Sequence, residues 1–145
     1  MNIRKVSHYS DSLYESVLRL LPQLDPEVSP PSKDFFMDML KSESIDLFVA
    51  ENDKNEVAGM LTLVSFPNIT GKKIWIEDVI VDGSSRGMGI GEKLVKTAIA
   101  HAQSLGASEI KLTSRPFRTA ANKLYLKLGF VMYETNVYKY RITPA

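Results

Sequence analysis

Residues 74 to 95 read Ile-Trp-Ile-Glu-Asp-Val-Ile-Val-Asp-Gly-Ser-Ser-Arg-Gly-Met-Gly-Ile-Gly-Glu-Lys-Leu-Val, and this stretch decides the fold. Its first part is apolar and rich in β-branched residues, which predicts a strand over Lys73 to Val81 interrupted by two acids, Glu77 and Asp78. A glycine run follows, Arg86-Gly87-Met88-Gly89-Ile90-Gly91, and leads into Leu94, Val95, Ala98, Ile99, Ala102 and Leu105 at helical spacing. Gly106 then supplies a left-handed cap, so a helix is expected over 92 to 105. In such a strand-turn-helix connection, consecutive backbone N–H groups face one concavity at the positive end of a helix dipole. A pyrophosphate is the natural guest; the bland alternative is a flexible connection whose glycines serve tight packing. Two commoner nucleotide turns do not fit. A P-loop needs Lys and then Ser or Thr directly after its last glycine, whereas Gly91 is followed by Glu92. A dinucleotide fingerprint needs Gly-x-Gly-x-x-Gly near the first strand, whereas this run is Gly-x-Gly-x-Gly in mid-chain.

Outward from this centre the pattern stays legible. Ile3 to Val6 alternates like a short strand, and Leu13, Val17, Leu18, Leu20 and Leu21 mark a helix from Asp11 that is expected to stop before Pro22. Pro22, Pro26, Pro30 and Pro31 make a loop, and Ser32 can cap a second helix bearing Phe35, Phe36, Met39 and Leu40. Leu47 to Ala50 and Val57 to Phe66 read as a hairpin around the polar turn 51–55. Glu109 to Thr113 reads as a strand, Thr119 to Leu128 as a helix closed by Gly129, and Phe130 to Glu134 with Val137 to Ile142 as a final strand pair. The order β-α-α-β-β-β-α-β-α-β-β predicts one domain over 1–145 of the α/β (α+β) class. Its mixed, mainly antiparallel sheet would have six to seven strands flanked by about four helices, with one parallel crossover through the 92–105 helix.

Composition removes several classes of function. With 145 residues the chain suits one domain with a core of its own. It has no cysteine, which excludes disulfides, thiolate metal sites and cysteine nucleophiles, and His8 and His101 stand without partners at metal-ligand spacing, so no metal is expected. Eighteen basic and seventeen acidic residues give a net charge of +1, which offers nucleic acid no general attraction. The start, Met-Asn-Ile-Arg-Lys, carries no apolar signal core, and no run is long enough for a membrane span; a cytoplasmic protein without a membrane partner is the expectation.

Three segments together resemble the GNAT superfamily of acetyl-CoA-dependent N-acetyltransferases. Arg86, Gly89 and Gly91 fill its cofactor pattern of Arg or Gln, two residues, Gly, one residue, Gly or Ala; Ile76 to Val81 is similar to its fourth strand; and Leu124-Tyr125-Leu126-Lys127-Leu128-Gly129-Phe130 looks like its Leu-Tyr-x-Lys-Leu-Gly-Phe ending. The resemblance, covering about residues 74 to 130 and looking like a bacterial subgroup, implies transfer of acetyl from acetyl-CoA to a primary amine of a small molecule or peptide. It implies direct transfer in a ternary complex, with Ile80, Val81, Arg86, Gly87, Met88, Gly89, Ile90 and Gly91 around the cosubstrate. Glu77, nine positions before Arg86, is then the base for an amine whose free pKa lies near 10, with Asp78 as its alternative on the opposite strand face. Tyr125 is the implied acid for the departing thiolate. Family members often hold CoA with an asparagine seven residues before this tyrosine, where this chain has Arg118. Asn122 is expected to substitute, and Arg115 and Arg118 are expected at a phosphate, at an acidic group of the acceptor, or in a solvated loop. The alternative function is a non-catalytic acyl-CoA-binding regulatory module. Phe35, Phe36, Met37 and Met39 either line the acceptor pocket or form plain core. Val137 to Ile142 offers a terminal strand through which two copies can pair as a homodimer.

Overall fold

In the computed structural model, which describes residues 1–143, the sheet is built by neighbours in sequence. Strands β1 (Asn2–Lys5), β2 (Ile45–Glu51), β3 (Val57–Asn68) and β4 (Gly71–Val81) lie in the order β1-β2-β3-β4, each antiparallel to the next. Helices α1 (Asp11–Leu24), α2 (Lys33–Lys41), α3 (Ile90–Ser104) and α4 (Thr119–Lys127) complete the α+β architecture. No helix among the described residues is long and apolar enough to cross a membrane.

Period-two alternation gives the sheet two apolar faces. Phe48, Leu61, Leu63, Ile74 and Ile76 pack against Leu94, Val95, Ala98 and Ala102 of α3. Leu47, Val49, Met60 and Ile80 pack on the opposite side against Leu13, Val17 and Leu20 of α1 and Phe36 of α2. Full burial of side chains such as Leu20, Leu61 and Leu94 stabilises by about 1.5–3 kcal/mol each. Both N-terminal helices start on serine caps: Ser10 Oγ accepts from Leu13 N–H and Ser32 Oγ from Phe35 N–H, each at 3.1 Å. α1 runs past the expected stop and contains Pro22. Its extra residues are held from outside, since Gln23 Oε1 accepts from Gly83 N–H (2.8 Å) and Leu24 C=O accepts from the Arg118 guanidinium (3.1 Å).

The expected six to seven strands are corrected to four among the described residues. The 109–113 segment is reduced to one parallel bridge, Trp75 to Lys111, with Ile76 N–H donating to Lys111 C=O and Lys111 N–H to Ile74 C=O. This bridge preserves the parallel crossover through α3. Residues 131–142 form no ladder, and Met132, Tyr138, Tyr140 and Ile142 are exposed. β-propensity states that a segment fits a pleated, half-buried surface; without a ladder to join, the same residues stay unpaired.

Candidate active site

The geometry of the site begins with a bulge in β4. Met60 pairs with Ile80 and Thr62 with Glu77, so Leu61 alone stands opposite Asp78 and Val79. Asp78 adopts φ +51°, a left-handed conformation in which Asp and Asn are the least strained of the ordinary residues. The extra residue reverses the side-chain parity of β4. Before it, Ile74 and Ile76 face α3; after it, Val79 and Val81 face α3 and Ile80 turns to α1 and α2. Asp78 and Glu77 therefore do not oppose each other. Glu77 is the cross-strand partner of Thr62, and Thr62 Oγ1 donates to Asp78 Oδ2 at 3.3 Å, so both carboxylates stand on the Thr62 side.

These acids look into a cleft of about 1070 Å³ whose lining includes Ile80, Val81, Arg86, Gly87, Gly89, Ile90, Gly91 and Tyr125. Glu77 is exposed at the cleft, where partial desolvation raises its carboxyl above the ordinary value and the neighbouring charge of Asp78 raises it further. Among the described residues neither acid has a cationic partner. Tyr125 is buried, meets Phe130 edge-to-face at 5.8 Å, and has its phenol pushed up by desolvation, with Arg118 acting in the opposite sense. It thus stays protonated at neutral pH.

The glycine turn forms the anion-facing end. Gly87 and Gly89 have φ +79° and +77°, and a Cβ on either would meet open space, so glycine is required there by the backbone rather than by crowding. Gly89 N-caps α3, whose first inward bond runs from Lys93 N–H to Gly89 C=O. No backbone N–H from Gly87 to Gly91 donates to another described residue, which leaves a row of donors at the positive end of a helix. Gly91 lies close to α4: a Cβ there would meet the flexible end of Leu124 at 3.3 Å, a tight contact that the side chain can relieve. Ser114 also lines the cleft, and its buried Oγ lacks a hydrogen-bond partner among the described residues.

The remaining expected residues fall as follows. Met88 is on the turn, largely exposed and outside the cleft lining. The Asn122 side chain donates to Arg115 C=O at 3.0 Å, holding the 115–118 turn, and is not among the lining residues. Arg115 and Arg118 line the cleft, but the Arg118 guanidinium ties α4 to the end of α1. His101 is a packing residue, with Nε2 2.8 Å from Asp46 Oδ2 and its ring edge-to-face on Phe48. Among the described residues no three His, Asp or Glu side chains come together as a metal site would need. Sequence reasoning passed over Thr62. Its signal is a lone hydroxyl in the apolar run Val57 to Val64.

The Acetyltransferase (GNAT) family matches residues 10–130. Glucosamine 6-phosphate N-acetyltransferase 1 of Oryza sativa subsp. japonica is 39% identical over 62 residues, 43% of this chain and 34% of that protein. N-acetyltransferase 8B of Homo sapiens is 33% identical over 84 residues, 57% of this chain and 37% of its own length. The chain thus spans little more than a third of either curated relative. A putative acetyltransferase from Agrobacterium tumefaciens str. C58 shares the fold, with a TM-score of 0.84 at 23% identity over 97% of this chain and all of that one.

Proposed function

The chain belongs to the acetyltransferase (GNAT) family, and from that premise we propose that it transfers an acetyl group from acetyl-CoA directly to a primary amine in a ternary complex. One observation carries this reading. Gly87, Gly89, Ile90 and Gly91, whose N–H groups have no partner among the described residues, line the same cleft as two acids without a cation and a buried tyrosine.

The turn from Arg86 to Gly91 receives the pyrophosphate of acetyl-CoA, for which free N–H groups at a helix start are suited. Ile80 and Val81, at the end of β4 that lines the cleft, offer backbone groups to the pantetheine arm, and Ser114 Oγ offers a further hydrogen bond. Glu77 takes a proton from the acceptor ammonium, directly or through one water. The raised pKa brings it closer to the amine it must deprotonate. The freed nitrogen forms a bond to the thioester carbonyl carbon, the C–S bond breaks, and sulfur leaves with its electron pair. Tyr125 hydrogen-bonds to that sulfur. A phenol ordinarily holds its proton more tightly than a thiol, and burial pushes Tyr125 further that way, so full proton transfer to the thiolate is uphill and Tyr125 acts first by stabilising the charge. The nitrogen gives up its second proton as the adduct collapses and that proton ends on the departing sulfur, so the products are the N-acetylated amine and the free thiol of CoA, with the first proton left on Glu77.

The test is release of free thiol from acetyl-CoA across an amine panel. Amine-dependent release that falls in Glu77→Gln and Tyr125→Phe supports the reading. Tight binding of acetyl-CoA with no release for any amine would instead favour the regulatory binding module. We extend the proposal to a homodimer. Tyr138, Tyr140 and Ile142 alternate with Lys139 and Arg141 as a strand does, yet have no backbone partner among the described residues. Sedimentation equilibrium should give twice the chain mass, and a monomer at all concentrations would remove this part.

A further inference from the structure

A second chamber of about 480 Å³ adjoins the cleft on the α1 and α2 side of the sheet. Its walls are mostly apolar, with Val17 and Leu21 of α1, Phe35, Phe36 and Met39 of α2, and Met60 of β3, and with Ser29, Ser32 and Thr62 as the neutral polar residues. Asp78 is the one charged residue among those lining it, and it also lines the cleft, so it stands where the two spaces meet. The bulge turns Asp78 to that face, and its recorded contact is the long hydrogen bond from Thr62 Oγ1. No cation of the described chain pairs with it. Ser32 cannot replace it as an anchor, since its hydroxyl caps α2.

A carboxylate without a cation, at the mouth of an apolar chamber, complements a ligand with a cationic head and an apolar body. The volume suits a small molecule rather than a long chain. We propose that this chamber is the acceptor site and that Asp78 is its specificity-determining anchor, holding the ammonium of a hydrophobic primary amine such as an arylalkylamine. The inference rests on the transfer reaction proposed above. Asp78 grips the charged amine and hands it to Glu77, which takes one proton; the neutral nitrogen then bonds to the acetyl carbon as the C–S bond breaks, and its second proton ends on the departing sulfur, so CoA leaves as thiol. Once the nitrogen is an uncharged amide, it loses its attraction to Asp78, which favours product release. A polyhydroxylated amino sugar or a polyamine would leave polar groups unpaired against Phe35, Phe36 and Met39.

The experiment measures thiol release at fixed acetyl-CoA with 2-phenylethylamine, ethylamine, spermidine and glucosamine 6-phosphate, together with thermal unfolding in acetyl-CoA alone. The expected kcat/KM for 2-phenylethylamine exceeds that for ethylamine by at least about tenfold, since each buried methylene discriminates by that order. Asp78→Asn should raise KM for 2-phenylethylamine about tenfold, the scale of one charge-assisted hydrogen bond, with kcat changed much less. Asparagine also tolerates the left-handed backbone at this position, so this variant keeps the bulge. Faster turnover of spermidine or glucosamine 6-phosphate than of 2-phenylethylamine would overturn the inference while leaving acetyl transfer intact. An unchanged KM in Asp78→Asn would remove Asp78 as the anchor. No stabilisation by acetyl-CoA and no thiol release from any amine would overturn the transfer reaction itself.

Discussion

Replacing Gly59 with alanine places a methyl group 3.0 Å from the Ile80 carbonyl oxygen, 3.1 Å from Ile90 Cγ2 and 3.2 Å from Leu94 Cδ1. The nearest neighbour is backbone of the adjacent strand, which cannot rotate away, and the other two belong to the buried first turns of α3. Overpacking of this kind costs about 1–3 kcal/mol, against about 0.5–1 kcal/mol that alanine gains over glycine inside a strand. A net loss of about 1–2 kcal/mol should lower Tm by roughly 2–8 °C in a chain of this size. Circular dichroism melting and urea titration measure it, with an unchanged m-value expected. The contrast is Gly91→Ala, whose methyl meets the flexible end of Leu124 at 3.3 Å and which gains helix propensity, so its stability should stay within about 1 kcal/mol of the parent. Because Ile90 starts α3 beside the glycine turn, Gly59→Ala should also weaken acetyl-CoA binding. A Gly59→Ala protein as stable as the parent would refute the close-approach reasoning.

Three further outcomes are expected. The acid limb of kcat/KM should report Glu77, with activity rising with pH as this acid ionises above the ordinary carboxylate range; Asp78→Asn removes a like charge and should move the limb to lower pH. The sign for stability is opposite to the usual carboxylate: a raised native pKa favours the protonated folded state, so Glu77 withdraws stability as pH climbs from its unfolded value through the native one. Tyr125→Phe should reduce kcat by about 10–100-fold in steady-state assays while leaving acetyl-CoA affinity within about twofold, as loss of a hydrogen bond made in the transition state requires. Glu92, held near 2 by Lys127 and then Lys96, ties the start of α3 to the end of α4. Its stabilisation should be present above 4.5, lost as pH falls from there toward 2, and weakened by salt; Glu92→Gln should flatten that part of the acid titration.

The centre of the fold was open to reading because its signals are local. A β-branched run, left-handed glycines and a 3.6-residue stripe need no knowledge of partners, and β4, the turn and α3 stand where those signals put them. The bulge was hidden, because an extra residue is defined by the strand opposite; simple alternation set Glu77 and Asp78 on opposite faces, whereas pairing to Thr62 and Ile80 brings them to one. Pro22 failed as a stop because Gln23 and Leu24 are held by residues 60 and more positions away. The segments after Gly106 carry β-forming residues in plenty, yet all but the Lys111 bridge lack an edge to pair with. Asn122 has the right chemistry for a cofactor ligand, but its amide is engaged by Arg115 C=O, a contact that only the turn geometry creates.

The most direct test of the central claim is thermal unfolding with acetyl-CoA, free CoA, NADH and ATP in parallel. A ligand at about 100 times its Kd adds roughly 2.7 kcal/mol, several degrees in Tm for this chain. The expected result is a rise with acetyl-CoA and CoA, absent with NADH, and reduced when the free N–H row is disturbed by Gly89→Val. No rise with either CoA species at millimolar concentration, on folded protein, would mean that the turn from Arg86 to Gly91 is a structural connection and binds no acyl carrier.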